Sequence, residues 1–351
     1  MNSLAIGTMS GTSLDGIDIA LCHFSESDDK WDYEIVDAQT ISYSDFWIKK
    51  LKKAPQLKVE DFLFLHNEYG RYTGELILNF LRGKDVPDLV ATHGHTIFHQ
   101  PDKKLTFQLG NGASVAAITG ITTVSDFRNF DVALGGQGAP LVPVGDQLLF
   151  SEFDYCLNIG GFANISFEKF GIRHAFDICP ANIILNELAQ HKGYNFDRDG
   201  HLGASGTINK SLLKRLNNLE YYRQNHPKSL GREWVDNQIV PILQQSGNSI
   251  EDQLASFYDH IAIQIAKVTS KSGRILITGG GAKNLFLLDR LREKTSCQLH
   301  IPEEILIDFK EALIFALLGV MSVNKRPNIL SSVTGSVQNH IGGVIYSLEN
   351  K

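Results

Sequence analysis

The sequence predicts an α/β protein of two related domains, on three observations. Two separate stretches read apolar strand, Gly-rich tip, second strand: "IGTMSGTSLDGIDIALCHF" at residues 6–24 and "YCLNIGGFANISF" at residues 155–167. Each stretch is followed by mixed helical and strand patterns. Between them, "RNFDVALGGQGAPLVPVG" at residues 128–145 is too rich in Gly and Pro for much regular structure. A duplication would leave this pattern, with two α/β domains facing across a cleft and the hinge near 128–145.

The elements follow in order. The opening strands reach about His23, and "SDFWIKKLKKA" and "VEDFLFLHNEYGRYTGELILNFLRG" have the three- and four-residue apolar spacing of helices. "DLVATHG" is a short buried strand, "LTFQLG" a second, "NGASVAAITG" a small-residue helix and "ITTVSDF" a third strand. Past the second Gly-rich tip, "HAFDICP" is a short apolar strand, "PANIILNELAQHK" a helix and "GYNFDRDGHLGASG" a polar loop. "SIEDQLASFYDHIAIQIAKVTS" is the clearest helix, with Leu254, Phe257, Tyr258, Ile261, Ile265 and Val268 on one stripe. "GRILITGGGAKNLFLLDRLREK" reads strand, Gly-rich turn, helix, and "KEALIFALLGVMSV" is an almost wholly apolar, buried helix.

Composition narrows the function. The chain has 351 residues, 43% of them hydrophobic, enough for two cores. A net charge of −6 provides no broad basic surface for nucleic acid or an anionic membrane. The four cysteines, Cys22, Cys156, Cys179 and Cys297, are scattered and form no C-x-x-C, so neither a zinc site nor a disulfide framework is expected. No signal peptide and no bilayer-spanning run is expected either.

Three Gly-rich tips, Gly7–Asp18, Gly160–Asn164 and Gly279–Asn284, follow apolar strands. Glycine lets backbone N–H groups approach a ligand closely, and successive N–H groups make an anion nest. Ser10, Thr12 and Ser13 add hydroxyls, and Asp15 and Asp18 add carboxylates suited to hydrated magnesium. One such tip is ordinarily just a turn. Three on strand ends point to a phosphate chain, with no P-loop and no well-placed G-x-G-x-x-G to suggest the commoner nucleotide folds. His93, His95 and His99 in "THGHTIFHQP" suit polar contacts at a cleft edge better than a metal, since no carboxylate or Cys is near in sequence. Asp177, on a strand end before a helix, is either a general base or an N-cap. Glu311 opens a helix, where the macrodipole alone favours a carboxylate. Arg128, beside Asp131, either clamps an anion or makes a structural ion pair.

The motifs "GTMSGTSLDGID", "THGHT", "DFRNFDVALGGQGAPLVP", "LNIGGFANIS", "FDICPAN", "TGGGAKN" and "EALIFALLG" resemble, in this order, those of the anhydro-N-acetylmuramic acid kinases. The resemblance covers essentially the whole chain. It implies two duplicated actin-like (ribonuclease H-like) domains around an interdomain nucleotide cleft: 1–127 with about 322–351, and 128–321. It implies an ATP- and Mg2+-dependent transferase of amino-sugar metabolism. That enzyme phosphorylates O6 of 1,6-anhydro-N-acetylmuramic acid and opens the anhydro ring with water, in peptidoglycan recycling. It also implies a cytoplasmic homodimer. The other readings are a kinase for a different amino sugar without ring opening, and an actin- or chaperone-like ATPase acting on a protein partner.

Carried over by position, the resemblance assigns ATP to Gly11, Thr12, Ser13, Leu14, Asp15, Gly16, Ile17 and Asp18, to Gly160 and Gly161, and to Gly279, Gly280 and Gly281. Asp177 is the implied catalytic base, and Thr96, Arg128, Asp131, Asn182 and Glu311 are the implied sugar contacts. No metal ligand is directly assigned, with Asp15 or Asp18 available through water. Three departures from the family pattern stand out: Ile178, Cys179 and Ala181 in "DICPAN", Asn186 in place of an Asp, and His95 in place of an amide. The first set is expected to narrow the site.

Overall fold

The structure, a computed structural model, describes residues 1–11, 13–28, 30–226, 228–269 and 272–348. The chain forms two compact units, Met1–Leu149 with Phe309–Lys351, and Phe150–Asp308.

The first unit contains strands β1 (Asn2–Ser10), β2 (Gly16–Ser27), β3 (Lys30–Ser42), β4 (Leu89–Gln100), β5 (Leu105–Leu109) and β6 (Thr123–Ser125). The second contains β7 (Tyr155–Ile159), β8 (Phe162–Lys169), β9 (Ile172–Pro180), β10 (Arg274–Thr278) and β11 (Gln298–His300), and β12 (Val344–Tyr346) returns to the first. The sheets run β12-β6-β4-β1-β2-β3, with β5 paired to β4, and β11-β10-β7-β8-β9. In both, the first three strands form an antiparallel meander. In both, two further strands then add in parallel on the other side of the first, β4 beside β1 with β6 beyond it, and β10 beside β7 with β11 beyond it. The same order with the same directions, twice in one chain, is the duplicated actin-like (ribonuclease H-like) plan.

The helices lie where the apolar spacing puts them. Val59–Phe80 buries Leu65, Tyr69, Thr73, Ile77 and Phe80 along one face. It approaches the Gly112–Thr119 helix at Gly74, where a Cβ would sit 2.9 Å from Ile118. Ile250–Val268 is capped by Ser249, whose hydroxyl accepts from the Asp252 amide at 3.1 Å, and its stripe enters the second core. The apolar helix starts earlier than the sequence pattern, running Glu304–Val323. Its later turns lie against β1 and β4: a Cβ on Gly7 would overlap the Ala312 carbonyl oxygen, and one on Gly319 would sit 2.6 Å from the Ala91 side chain.

These contacts move the boundaries. Residues 128–149 and 309–321 were expected in the C-terminal domain but belong to the first unit. Asp131 is enclosed there, accepting from Thr334 and from the Gly138 amide, and Gly145 packs on Ile314. The stretch 128–145 is also less irregular than expected, with short helices at Asn129–Ala133 and Pro143–Leu149.

Because the β1–helix contact involves backbone atoms, it cannot yield by rotating a side chain. Gly7→Ala should destabilise the protein by roughly 3 kcal/mol, read as a lower midpoint in urea unfolding.

Candidate active site

The β1–β2 loop is braced from below. Ser10, buried at the end of β1, bonds the Tyr43 hydroxyl at 2.6 Å and the His95 Nδ1 at 2.9 Å, and the Tyr43 hydroxyl meets that of Tyr69 at 2.5 Å. The Tyr43 amide also donates to the Asp15 carbonyl at 3.2 Å, so one residue holds both ends of the loop. Burial raises the Tyr43 hydroxyl to about 12 and lowers the His95 ring to about 4, so the network is neutral at pH 7. Above it, the Ser13 hydroxyl donates to Asp15 Oδ1 at 2.6 Å, and Leu14 has φ of 61°. Gly16, Ile17 and Asp18 are strand rather than loop. The Ile17 side chain is buried in the core, and Asp18 Oδ1 accepts from Thr40 at 2.6 Å. Thr12 lies outside the described residues.

Arg128 and Glu311 come together in the same unit. The Arg128 Nε donates to His93 Nε2 at 2.9 Å, and Nη1 donates to the Gly138 carbonyl at 2.7 Å. His93 Nδ1 bonds the Gly94 carbonyl at 2.8 Å, so His93 is the neutral Nδ1–H tautomer, with both nitrogens engaged. Burial lowers Arg128 to about 10, still charged at pH 7, and the Glu311 and Asp131 carboxylates favour that charge. Burial raises the Glu311 carboxyl, Arg128 opposes the rise and Asp18 adds to it. Thr96, on β4, accepts from Gln108 at 3.4 Å. Asp131, expected against the sugar, is fully enclosed. Its Oδ2 takes the Gly138 amide at 2.7 Å and its Oδ1 the Thr334 hydroxyl at 2.7 Å. Since Gly138 is the residue whose carbonyl holds Arg128, Asp131 acts on the site through that loop.

The second unit assembles the other two tips. The Gly161 carbonyl accepts from the amides of Ala181 at 2.8 Å and Ile183 at 3.2 Å, and the Gly160 carbonyl accepts from Asn182 at 3.1 Å. The Asn182–Gln190 helix therefore starts on the β7–β8 turn. The Gly279–Gly281 segment packs on the same turn, where a Cβ on Gly279 would lie 2.5 Å from Asn158 Oδ1 and one on Gly281 would overlap Ile159. A cavity of about 340 Å³ opens beside Gly280, walled by Asn182, Asn186, Asp197, Tyr258, Lys283 and Asn284 among others. Asn182, expected at the sugar, belongs to this wall, and its Nδ2 donates to the Ile159 carbonyl at 3.2 Å.

Asp177 lies on β9 beside a bulge. Ala163 faces Cys179 while Asn164 faces Asp177, which leaves Ile178 as the extra residue. Bulges re-aim side chains at strand ends. The half-buried carboxyl accepts from the Leu230 amide at Oδ2, 2.9 Å away. Burial raises its pKa, and the Leu230 bond works against that rise. Ile178, Cys179 and Ala181 correct an expectation: their side chains are buried in the core of the second unit rather than narrowing the site. Tyr43, Tyr69 and Leu230 had no sequence signal, because a core tyrosine and a backbone amide look the same in any context. Among the described residues, no cluster of three or more His, Cys, Asp or Glu is placed to hold a metal.

His95 gives a pH prediction. Its folded pKa, about 4, is below the unfolded value of about 6.5, so its neutral form supports the fold above pH 6.5 and that support is lost as pH falls. His95 alone should cost about 2 kcal/mol of stability between pH 7 and pH 5. Denaturant unfolding at the two pH values should show a correspondingly smaller loss for His95→Gln.

The anhydro-N-acetylmuramic acid kinase family model matches residues 3–348. The anhydro-N-acetylmuramic acid kinase of Vibrio parahaemolyticus is 34% identical, covering 99% of each chain. That of Francisella tularensis subsp. novicida is 34% identical over 97% of each, and that of Shewanella amazonensis is 35% identical over 97% of this chain and 98% of its own. A looser likeness is to the solved structure of a ROK family glucokinase from Streptomyces griseus, at TM-score 0.41 and 12% identity, over 90% of this chain and 98% of the other. Among the described residues, no helix is long and apolar enough to cross a membrane. With its family model matched almost from end to end, the chain belongs to the anhydro-N-acetylmuramic acid kinase family.

Proposed function

We propose that this protein is an ATP-dependent kinase converting 1,6-anhydro-N-acetylmuramic acid and water to N-acetylmuramic acid 6-phosphate. The observation that carries the reading is the family match over residues 3–348. Membership makes the chain a carbohydrate kinase that uses ATP and acts on a small sugar.

Asp177 is the general base. Its Oδ2 is held by the Leu230 amide, and its raised pKa suits a group that must take up a proton. It takes a proton from water, and the water oxygen bonds to the anomeric carbon as the bond from that carbon to O6 breaks. The freed O6 attacks the γ-phosphorus, and ADP leaves. Arg128, oriented by His93 and Gly138, and Glu311 beside it contact the sugar, together with Thr96. Asp131 positions Arg128 through Gly138. Gly11–Asp18 and the Gly160–Gly161 turn serve the phosphates, and the cavity beside Gly280, with Asn182 on its wall, takes the adenosine. The exposed Asp15 and half-buried Asp18 are hard oxygen donors that fit a hydrated Mg2+. That ion would supply charge neutralisation at the phosphates. On the same family ground we assign the protein to the bacterial cytoplasm, as a homodimer in peptidoglycan recycling.

A coupled ADP-release assay tests the substrate. ADP should appear with anhydro-N-acetylmuramic acid and not with N-acetylmuramic acid or N-acetylglucosamine. Release with a non-anhydro sugar would make it an ordinary amino-sugar kinase, and slow release indifferent to sugar would make it an ATPase of another kind. Asp177→Asn should lose about 10²–10⁴-fold in kcat while binding ATP normally by calorimetry. Near-normal turnover would refute the base.

A further inference from the structure

We propose that residues 228–230 form a clamp that holds the Asp177 carboxyl by Oδ2 and leaves Oδ1 as the oxygen that accepts the proton. This makes Leu230, through its backbone amide, and Tyr221 positioning residues for the reaction. The inference rests on the reading of Asp177 as the base.

β9 ends its sheet, so its outer side has no neighbouring strand. The 228–230 segment takes that side at Asp177. The Asp177 amide donates to the Lys228 carbonyl at 3.3 Å, and the Leu230 amide donates to Asp177 Oδ2 at 2.9 Å. Main chain and side chain of one residue are thus held by the same short segment. Tyr221 closes the ring. Its hydroxyl donates to the Asp177 carbonyl at 2.6 Å. Lys228 Nζ in turn donates to the Tyr221 carbonyl at 3.1 Å and lies 4.5 Å from the centre of the Tyr221 ring. Lys228 is therefore directed at Tyr221 and fastens the segment.

A carboxyl tied at one oxygen cannot rotate without breaking that bond, so the position of the other oxygen is fixed. Oδ1 accepts no hydrogen bond among the described residues, and it is not one of the buried unpartnered atoms. The arrangement gives one oxygen to orientation and the other to chemistry. The titratable groups around Asp177 are Cys179 on β9, Tyr221 on the Glu220–Arg223 turn, Lys228 on the clamp and His226, whose ring stacks on Phe176. Burial pushes the Cys179 thiol and the Tyr221 hydroxyl up, away from the range in which a carboxyl base titrates.

The test is the kcat–pH profile of the full chain with saturating ATP and anhydro sugar. Leu230→Pro deletes the N–H donor, and Leu230→Ala keeps it while removing the side chain. Losing a hydrogen bond to the charged form raises the base's pKa, so the acid limb for Leu230→Pro should move up by about one pH unit. The KM for ATP should stay within about twofold, and Leu230→Ala should keep the wild-type limb, including any part due to His226. A folded Leu230→Pro with an unmoved limb overturns the clamp. If Leu230→Pro does not fold, a backbone ester at the 229–230 link, made by semisynthesis, deletes the same N–H and is read in the same way. Tyr221→Phe should lower kcat several-fold at unchanged KM for ATP, and an unchanged kcat overturns its part. An active Asp177→Asn would remove the underlying base assignment. An inactive Asp177→Asn together with an unmoved Leu230→Pro limb removes the clamp alone.

Discussion

The second unit depends on three backbone hydrogen bonds, from the amides of Ala181, Asn182 and Ile183 to the carbonyls of Gly160 and Gly161. The first N–H groups of a helix have no partner inside the helix and must find one elsewhere. Here they find it on the turn between β7 and β8, which couples the glycine turn to the strand end that carries Asp177. Gly279 and Gly281 pack on the same turn so closely that a side chain at either would meet Asn158 or Ile159. Turn, strand end and cavity wall are thereby one rigid piece. The base proposed at Asp177 would need such support to meet its target.

The first unit solves the same problem with side chains. Ser10, Tyr43, Tyr69 and His95 form a buried chain of neutral hydroxyls and imidazole beneath the β1–β2 loop. Nearby, a buried charge is handled differently. Arg128 is fixed by a neutral His93 and by a carbonyl, while Asp131, itself enclosed and doubly bonded, fixes that carbonyl's residue. Neutral donors and acceptors set the Arg128 geometry, while the Glu311 and Asp131 carboxylates nearby favour its charge.

The legible part of the molecule was the part that burial writes into the sequence. Leu254, Phe257, Ile261 and Ile265 marked their helix because one face enters the core, and the three glycine tips marked strand ends that come close to other backbone. β3 was missed although Trp31, Tyr33 and Ile35 alternate with Asp32 and Glu34, because this half-exposed edge strand has no continuous apolar run like those of the inner strands. The domain boundary was misplaced because glycine and proline mark irregular chain, and irregular chain can be anchored. Asp131 and Thr334, far apart in sequence, tie 128–149 to the first unit. Of the candidate site, the residue types were readable and their burial was not. Asp131 reads like a ligand until its oxygens are found taken, and Ile178 and Cys179 read like obstructions until the bulge is seen to turn them into the core. The Leu230 bond was beyond sequence, since every residue but proline carries that amide.

The central claim is that one oxygen of Asp177 faces a water aimed at the sugar's anomeric carbon. A crystal structure of the protein with anhydro-N-acetylmuramic acid and a non-hydrolysable ATP analogue tests it most directly. The account predicts an ordered water within about 2.6–3.2 Å of Asp177 Oδ1, in line with the anomeric carbon, while Oδ2 keeps the Leu230 amide. A bound sugar with Asp177 turned away from it, or with another group holding the water, would contradict the account.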